Sequence, residues 1–166
     1  MAKTNGIKWN MRGIKKLRRM LGGDQYLAKA MTAAGRLYLE FTHKRFRRYS
    51  RGGGDWKGLA DSTIRQRRKE GKGAAILVDT ALLVSAIQPG ASGSQLRMIS
   101  PTVVRAGYSE TTKHPGTNMT FAKLARIHQR GNNNLPARKI FVMPDEPTKK
   151  RMMSVVGKAI EKRGKV

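Results

Sequence analysis

A small α+β domain is what this chain is expected to form, on three grounds. Residues 24 to about 49 place apolar side chains at a helical period. Residues 96–99 and 102–108 are short β-branched runs parted by a turn signal, and helical patterns return on both sides of that pair. The expected architecture is a long N-terminal helix, an antiparallel β-hairpin plus one further strand, and packed helices. A length of 166 residues suits a single core, so residues 24–166 are read as one domain preceded by a basic segment, 1–23.

In that first segment Met11, Ile14, Leu17 and Leu21 have the spacing of a short amphipathic helix, stopped by Gly22-Gly23. It either packs on its own domain or becomes ordered on assembly, when a neighbour receives it. Asp24 then reads as an N-cap. Leu27, Met31, Ala34, Tyr38 and Phe41 follow on one face, and Lys44, Arg45, Arg47 and Arg48 fall in the last turns, where positive charge suits the helix dipole. Gly52-Gly53-Gly54 ends the element.

A short helix is expected from Ser62 to Glu70, and a second from Asp79-Thr80 through Ile87, halted by Pro89-Gly90. The hairpin turns at Ser100-Pro101. Ser109 to Asn118 is polar and reads as a loop. Phe121, Leu124, Ala125 and His128 share helical spacing, with Gly131 as the stop. Lys139 to Met143 reads as the further strand, and Thr148 as the cap of a final helix carrying Met152, Val155, Val156, Ala159 and Ile160.

Charge is the strongest compositional signal. Lys and Arg number 35 against 10 Asp and Glu, a formal net of +25. Residues 1–73 hold 20 of the cations and 5 of the acids, so the N-terminal half carries most of the imbalance. Three runs stand out: Lys15, Lys16, Arg18 and Arg19; Lys44, Arg45, Arg47 and Arg48; and Arg65, Arg67, Arg68 and Lys69. A single run is usually a solvated helix face. Three within fifty-five residues exceed what solubility needs, and they are read as contacts to a polyanion, either DNA or an acidic protein surface. Phosphate contacts of this kind carry no base specificity.

Other classes lose support. Without cysteine, disulfides and thiolate metal sites are excluded. No apolar run approaches the roughly 20 residues that span a bilayer, and no apolar signal-peptide core is visible, so a soluble protein made inside a cell, with no membrane partner, is expected. His43, His114 and His128 show no metal-ligand spacing. There is no phosphate loop and no nucleophile elbow. No catalytic, cofactor or metal residue is assigned, and an enzyme is not expected.

Four stretches carry more specific information: Asp55-Trp56-Lys57-Gly58-Leu59-Ala60-Asp61-Ser62-Thr63, Ile76 to Leu83, Ile127-His128-Gln129-Arg130-Gly131, and Pro136 to Pro144. As an ordered set, the chain resembles the virion-morphogenesis family of tailed bacteriophages, which includes tail-completion, neck and minor tail proteins. The matching residues are Trp56, Leu59 and Thr63; Leu77, Thr80 and Leu83; His128 and Gly131; and Arg138 and Phe141. Ala81 stands where that family usually carries Gly. Alanine resists positive φ, so a helix starting directly at Asp79 is expected to replace the turn. From the residues themselves, Trp56 reads as a loop anchor or an intersubunit contact, His128 as a structural or hydrogen-bonding group, Arg138 as the partner of a carboxylate or backbone group, and Phe141 as core.

The resemblance implies a structural role without turnover. The chain would complete the tail or form the head–tail neck as a homo-oligomeric ring. Its partners would be other neck, connector or tail proteins, with a basic surface near packaged DNA. It would reside in the virion after synthesis in the host bacterial cytoplasm. A non-sequence-specific nucleic-acid-binding protein and an assembly chaperone absent from the mature virion are the alternatives.

Overall fold

Helix α1, Asp24–Ser50, is the organising element, and its apolar face decides where everything else lies. The computed structural model describes residues 24–77, 81–115, 117–132 and 135–161. The basic N-terminal segment with Lys15, Lys16, Arg18 and Arg19 lies outside the described residues, as do Asp79 and Thr80 and the side chain of Asp24. Along α1, Leu27, Ala30, Met31, Ala34, Tyr38, Leu39 and Phe46 are buried, the stripe that helical spacing demands. Thr42 interrupts the stripe and is fully buried, but its hydroxyl donates to the Tyr38 carbonyl at 2.9 Å, so no polar group is left unmet.

Among the described residues four further helices follow: α2, Asp61–Lys69; α3, Leu82–Ser85; α4, Phe121–Arg130; and α5, Glu146–Glu161. Between α3 and α4 runs one antiparallel hairpin, β1 Ser94–Ser100 and β2 Val103–Tyr108, with Leu96 opposite Ala106 and Met98 opposite Val104. Val104, Ala106 and Tyr108 alternate inward along β2 and are buried. The hairpin packs directly on α1 because Gly35 has no side chain. A Cβ there would lie 2.5 Å from Leu96 Cδ1 and 3.3 Å from Val104 Cγ2. On another side α5 packs along α1, burying Met152 and Val156. The result is a small α+β fold, with helices segregated around a two-stranded sheet.

Three local expectations are corrected. The helix expected to begin at Asp79 begins at Leu82, and Ala81 takes φ 56° and ψ −1°. The left-handed turn therefore persists although the residue has a Cβ, held by the buried Leu83, Val84 and Ile87 that follow. Lys139–Met143 is not a strand; the sheet has two strands only among the described residues. Its backbone is instead bonded by side chains. Arg45 donates to the carbonyls of Lys139 and Ile140, Gln129 to that of Phe141 (2.9 Å) and Tyr38 to that of Val142 (3.2 Å). Finally, the cap of α5 is Asp145, whose carboxylate accepts the Thr148 N–H at 3.0 Å, so Thr148 lies inside the helix it was expected to cap.

Candidate binding cleft and basic face

Gly131 sets the geometry on which the cleft depends. It ends α4 at φ 69° and ψ 179°, a region essentially reserved for glycine, while its N–H closes on the Ile127 carbonyl at 2.8 Å. A Cβ there would lie 2.6 Å from the Ala137 nitrogen and 2.7 Å from the Leu135 oxygen. The chain therefore folds back tightly, and the Arg138 N–H reaches the His128 carbonyl at 2.7 Å. The Arg138 side chain then crosses to the segment before α2, where Nη2 donates to the Lys57 carbonyl at 3.2 Å. Residues 81 positions apart are tied by that one bond.

Behind this tie, Trp56 is buried edge-on against Phe46 (centroids 5.2 Å apart, 87°) and Tyr49 (5.6 Å, 69°). An indole so enclosed fixes the otherwise Gly-rich loop to the end of α1. Its neighbours Leu59 and Thr63 line a cleft of about 570 Å³, together with Leu77, Leu83, His128 and Arg138. Six of the ten residues singled out by the motif stretches thus meet at one cavity. Trp56 lies behind it, Gly131 shapes it, and Phe141 points elsewhere, packing edge-on against Tyr108 at 5.6 Å. Thr80 lies outside the described residues.

The cleft is lined by cations and by apolar side chains. Lys57, Arg67 and Arg138 line it with His114 and His128, and no Asp or Glu does so among the described residues. Arg138 is 4 % exposed, and its basicity is lowered by burial and by the nearby Arg67 guanidinium. Burial pulls the His128 imidazole down to about 4, with the charge of Arg138 acting in the same direction, so the ring is neutral near pH 7. His128 Nδ1, His114 Nδ1 and Arg138 Nε are all buried without a hydrogen-bond partner among the described residues. Such groups are uncommon in native interiors, and three of the five in the described residues lie at this cleft. Lys57 lies within the first motif stretch but was not itself assigned a role, and His114 stands in a polar segment read as a loop.

The basic runs divide between structure and surface. Arg45 is held in place by the carbonyls of Lys139 and Ile140 and lies 3.9 Å above the Tyr49 ring, and Arg67 donates to the Ala75 carbonyl at 2.8 Å. Lys44, Arg47 and Arg48 are exposed at the end of α1, as are Arg65, Arg68 and Lys69 on α2. Arg47, Arg48 and Lys44 border a shallow depression with Arg51, lined by no acid among the described residues, while Lys44 and Arg48 also border a neighbouring cavity with Glu40 and Asp145. Positive charge is thus concentrated where α1 ends and along α2. No group of three His, Asp or Glu residues able to hold a metal occurs among the described residues, and no described helix is long and apolar enough to cross a membrane.

Comparison with protein-family models, curated proteins and solved structures found no match.

Proposed function

We propose that this chain is a structural phage protein that completes the tail or forms the head–tail neck, working by adhesion to its neighbours. The observation that carries this reading is the ordered set of four motif stretches. Their residues are also connected: Trp56 anchors the first, Arg138 of the last bonds to Lys57 of the first, and Gln129 of the third pairs with Phe141 of the last. A scaffold held this way supports a motif set whose common purpose is to keep one shape.

Assembly as a ring follows from the same reading, because a small subunit with one heterologous interface closes when the rotation per subunit divides the circle. The exposed cations at the end of α1 and on α2 would face a polyanion, whether passing DNA or an acidic neighbour. Arg45 Nη1 is bonded to the carbonyls of Lys139 and Ile140, so the exposed Lys44, Arg47 and Arg48 are the better probes of that contact.

Mass spectrometry of purified virions is the test. The protein is expected in the particle at a multiple set by the ring. Its absence from particles would overturn the structural role and favour an assembly chaperone. Changing Lys44, Arg47 and Arg48 together to Glu should lower particle yield while circular dichroism of the isolated protein stays unchanged. Sequence-specific DNA binding at physiological salt would instead favour a regulator.

A further inference from the structure

Two kinds of lining meet in the 570 Å³ cleft, apolar walls and buried polar atoms without a hydrogen-bond partner among the described residues. Leu59, Leu77, Leu83 and Leu124 give it apolar walls. Against them lies Arg138, nine-tenths buried and more, with Nε lacking a partner while Nη2 is committed to Lys57. His128 Nδ1 is buried and unpartnered beside it. At the margin, Ala60, the residue before helix α2, has extended backbone and offers no side-chain cap; Asp61 in the first turn is exposed and outside the cleft lining, and the helix start borders the cleft at Thr63. An uncapped helix start favours negative charge, and here a buried guanidinium with an unused N–H adjoins it.

We propose that this cleft receives an acidic side chain from a partner protein: a carboxylate flanked by apolar residues, the carboxylate on Arg138 and the α2 N-terminus and the apolar neighbours on the leucines. The volume lies within the range of about 300–1,000 Å³ typical of ligand pockets, enough for the carboxylate together with its apolar neighbours. Charge complementarity selects an anion, since cations line the cleft and no acid does among the described residues. The leucines select against a nucleic-acid backbone, which presents phosphate and sugar and gains little from apolar walls; its natural partners are the exposed cations of α1 and α2. A carboxylate also suits a guanidinium with an unpartnered Nε–H. This inference stands on the cleft alone and holds whether or not the chain belongs to a virion.

The test uses the full chain, isotopically labelled, and two acetylated, amidated pentapeptides at millimolar concentration, Ala-Leu-Glu-Leu-Ala and its Gln counterpart. The Glu peptide is expected to shift the Arg138 Nε–H and His128 ring resonances and to bind about tenfold or more tighter than the Gln peptide. A Thr63→Glu variant places a carboxylate in the first turn of α2, where the helix tolerates it. It should remain folded and lose about tenfold or more in affinity for the Glu peptide. Equal binding of the two peptides, no shift with either, or undiminished binding to Thr63→Glu overturns the proposal. So does a short single-stranded DNA that reproduces the Arg138 and His128 shifts, which would assign the cleft to nucleic acid.

Discussion

The side-chain amide of Gln129 pairs with the main chain of Phe141 in both directions, donating to its carbonyl at 2.9 Å and accepting its N–H at 3.0 Å. A glutamine on α4 thus does for one residue what a neighbouring strand would do, and Phe141 remains buried against Tyr108. Replacing Gln129 by Met keeps the volume but strands both backbone groups. The expected loss is about 2–3 kcal/mol, read as a lower urea midpoint at unchanged slope. An unchanged midpoint would mean the two groups find other partners.

Ala81 holds a conformation that glycine adopts freely, at φ 56°. An L-residue in the left-handed region is strained by about 1–2 kcal/mol, part of which is returned when glycine loosens the unfolded chain. Ala81→Gly should therefore stabilise the protein by roughly 0.5–1 kcal/mol, a rise in Tm of a few degrees by calorimetry. A drop in Tm would show that Ala81 contributes a contact outweighing its strain.

At Gly131 the opposite substitution is the informative one. Alanine would meet both the backbone conformation and the Ala137 and Leu135 main-chain atoms, which cannot rotate away. A cost above about 2 kcal/mol is expected. The return of the chain onto His128 should also loosen, visible as faster exchange of the Arg138 N–H.

His128 supplies a pH dependence whose sign is fixed by its depressed basicity. Folded, the ring protonates only near pH 4; unfolded, it does so near the usual value of about 6.5. The unfolded chain binds the extra proton between those values, so stability is full above pH 6.5 and falls as pH drops toward 4. Because the ring is partly exposed, solvent screening reduces the effect to about 1–2 kcal/mol. Urea midpoints of wild type and His128→Gln, followed from pH 7 to pH 4, should diverge in that window, with the variant showing the shallower loss. Parallel curves would refute the assignment.

Helix α1 was legible because one helix face is a local property: Leu27, Met31, Ala34 and Tyr38 declare it within twelve residues. The stop at Gly131 was legible for the same reason. Lys139–Met143 was not. Ile140, Phe141 and Val142 have the composition of a strand, and composition does not reveal that the partners will be Arg45, Gln129 and Tyr38. Thr148 has a cap's residue type, but its place in the chain is wrong for one. Pro147 favours Asp145, since proline belongs in a helix's first turn. The cleft was legible only as separate motifs, because its closure depends on a bond between Arg138 and Lys57 that no local pattern encodes.

Four consecutive carbonyls, from Lys139 to Val142, each accept a hydrogen bond from a side chain of α1 or α4. An extended segment with bare carbonyls invites another chain to add itself as a strand, the usual route to uncontrolled stacking. Here those acceptors are already occupied, and by groups rooted in two different helices. A second molecule approaching this segment meets side chains rather than an open β edge. Whatever contacts this protein makes there are consequently decided by shape and charge, not by strand exchange.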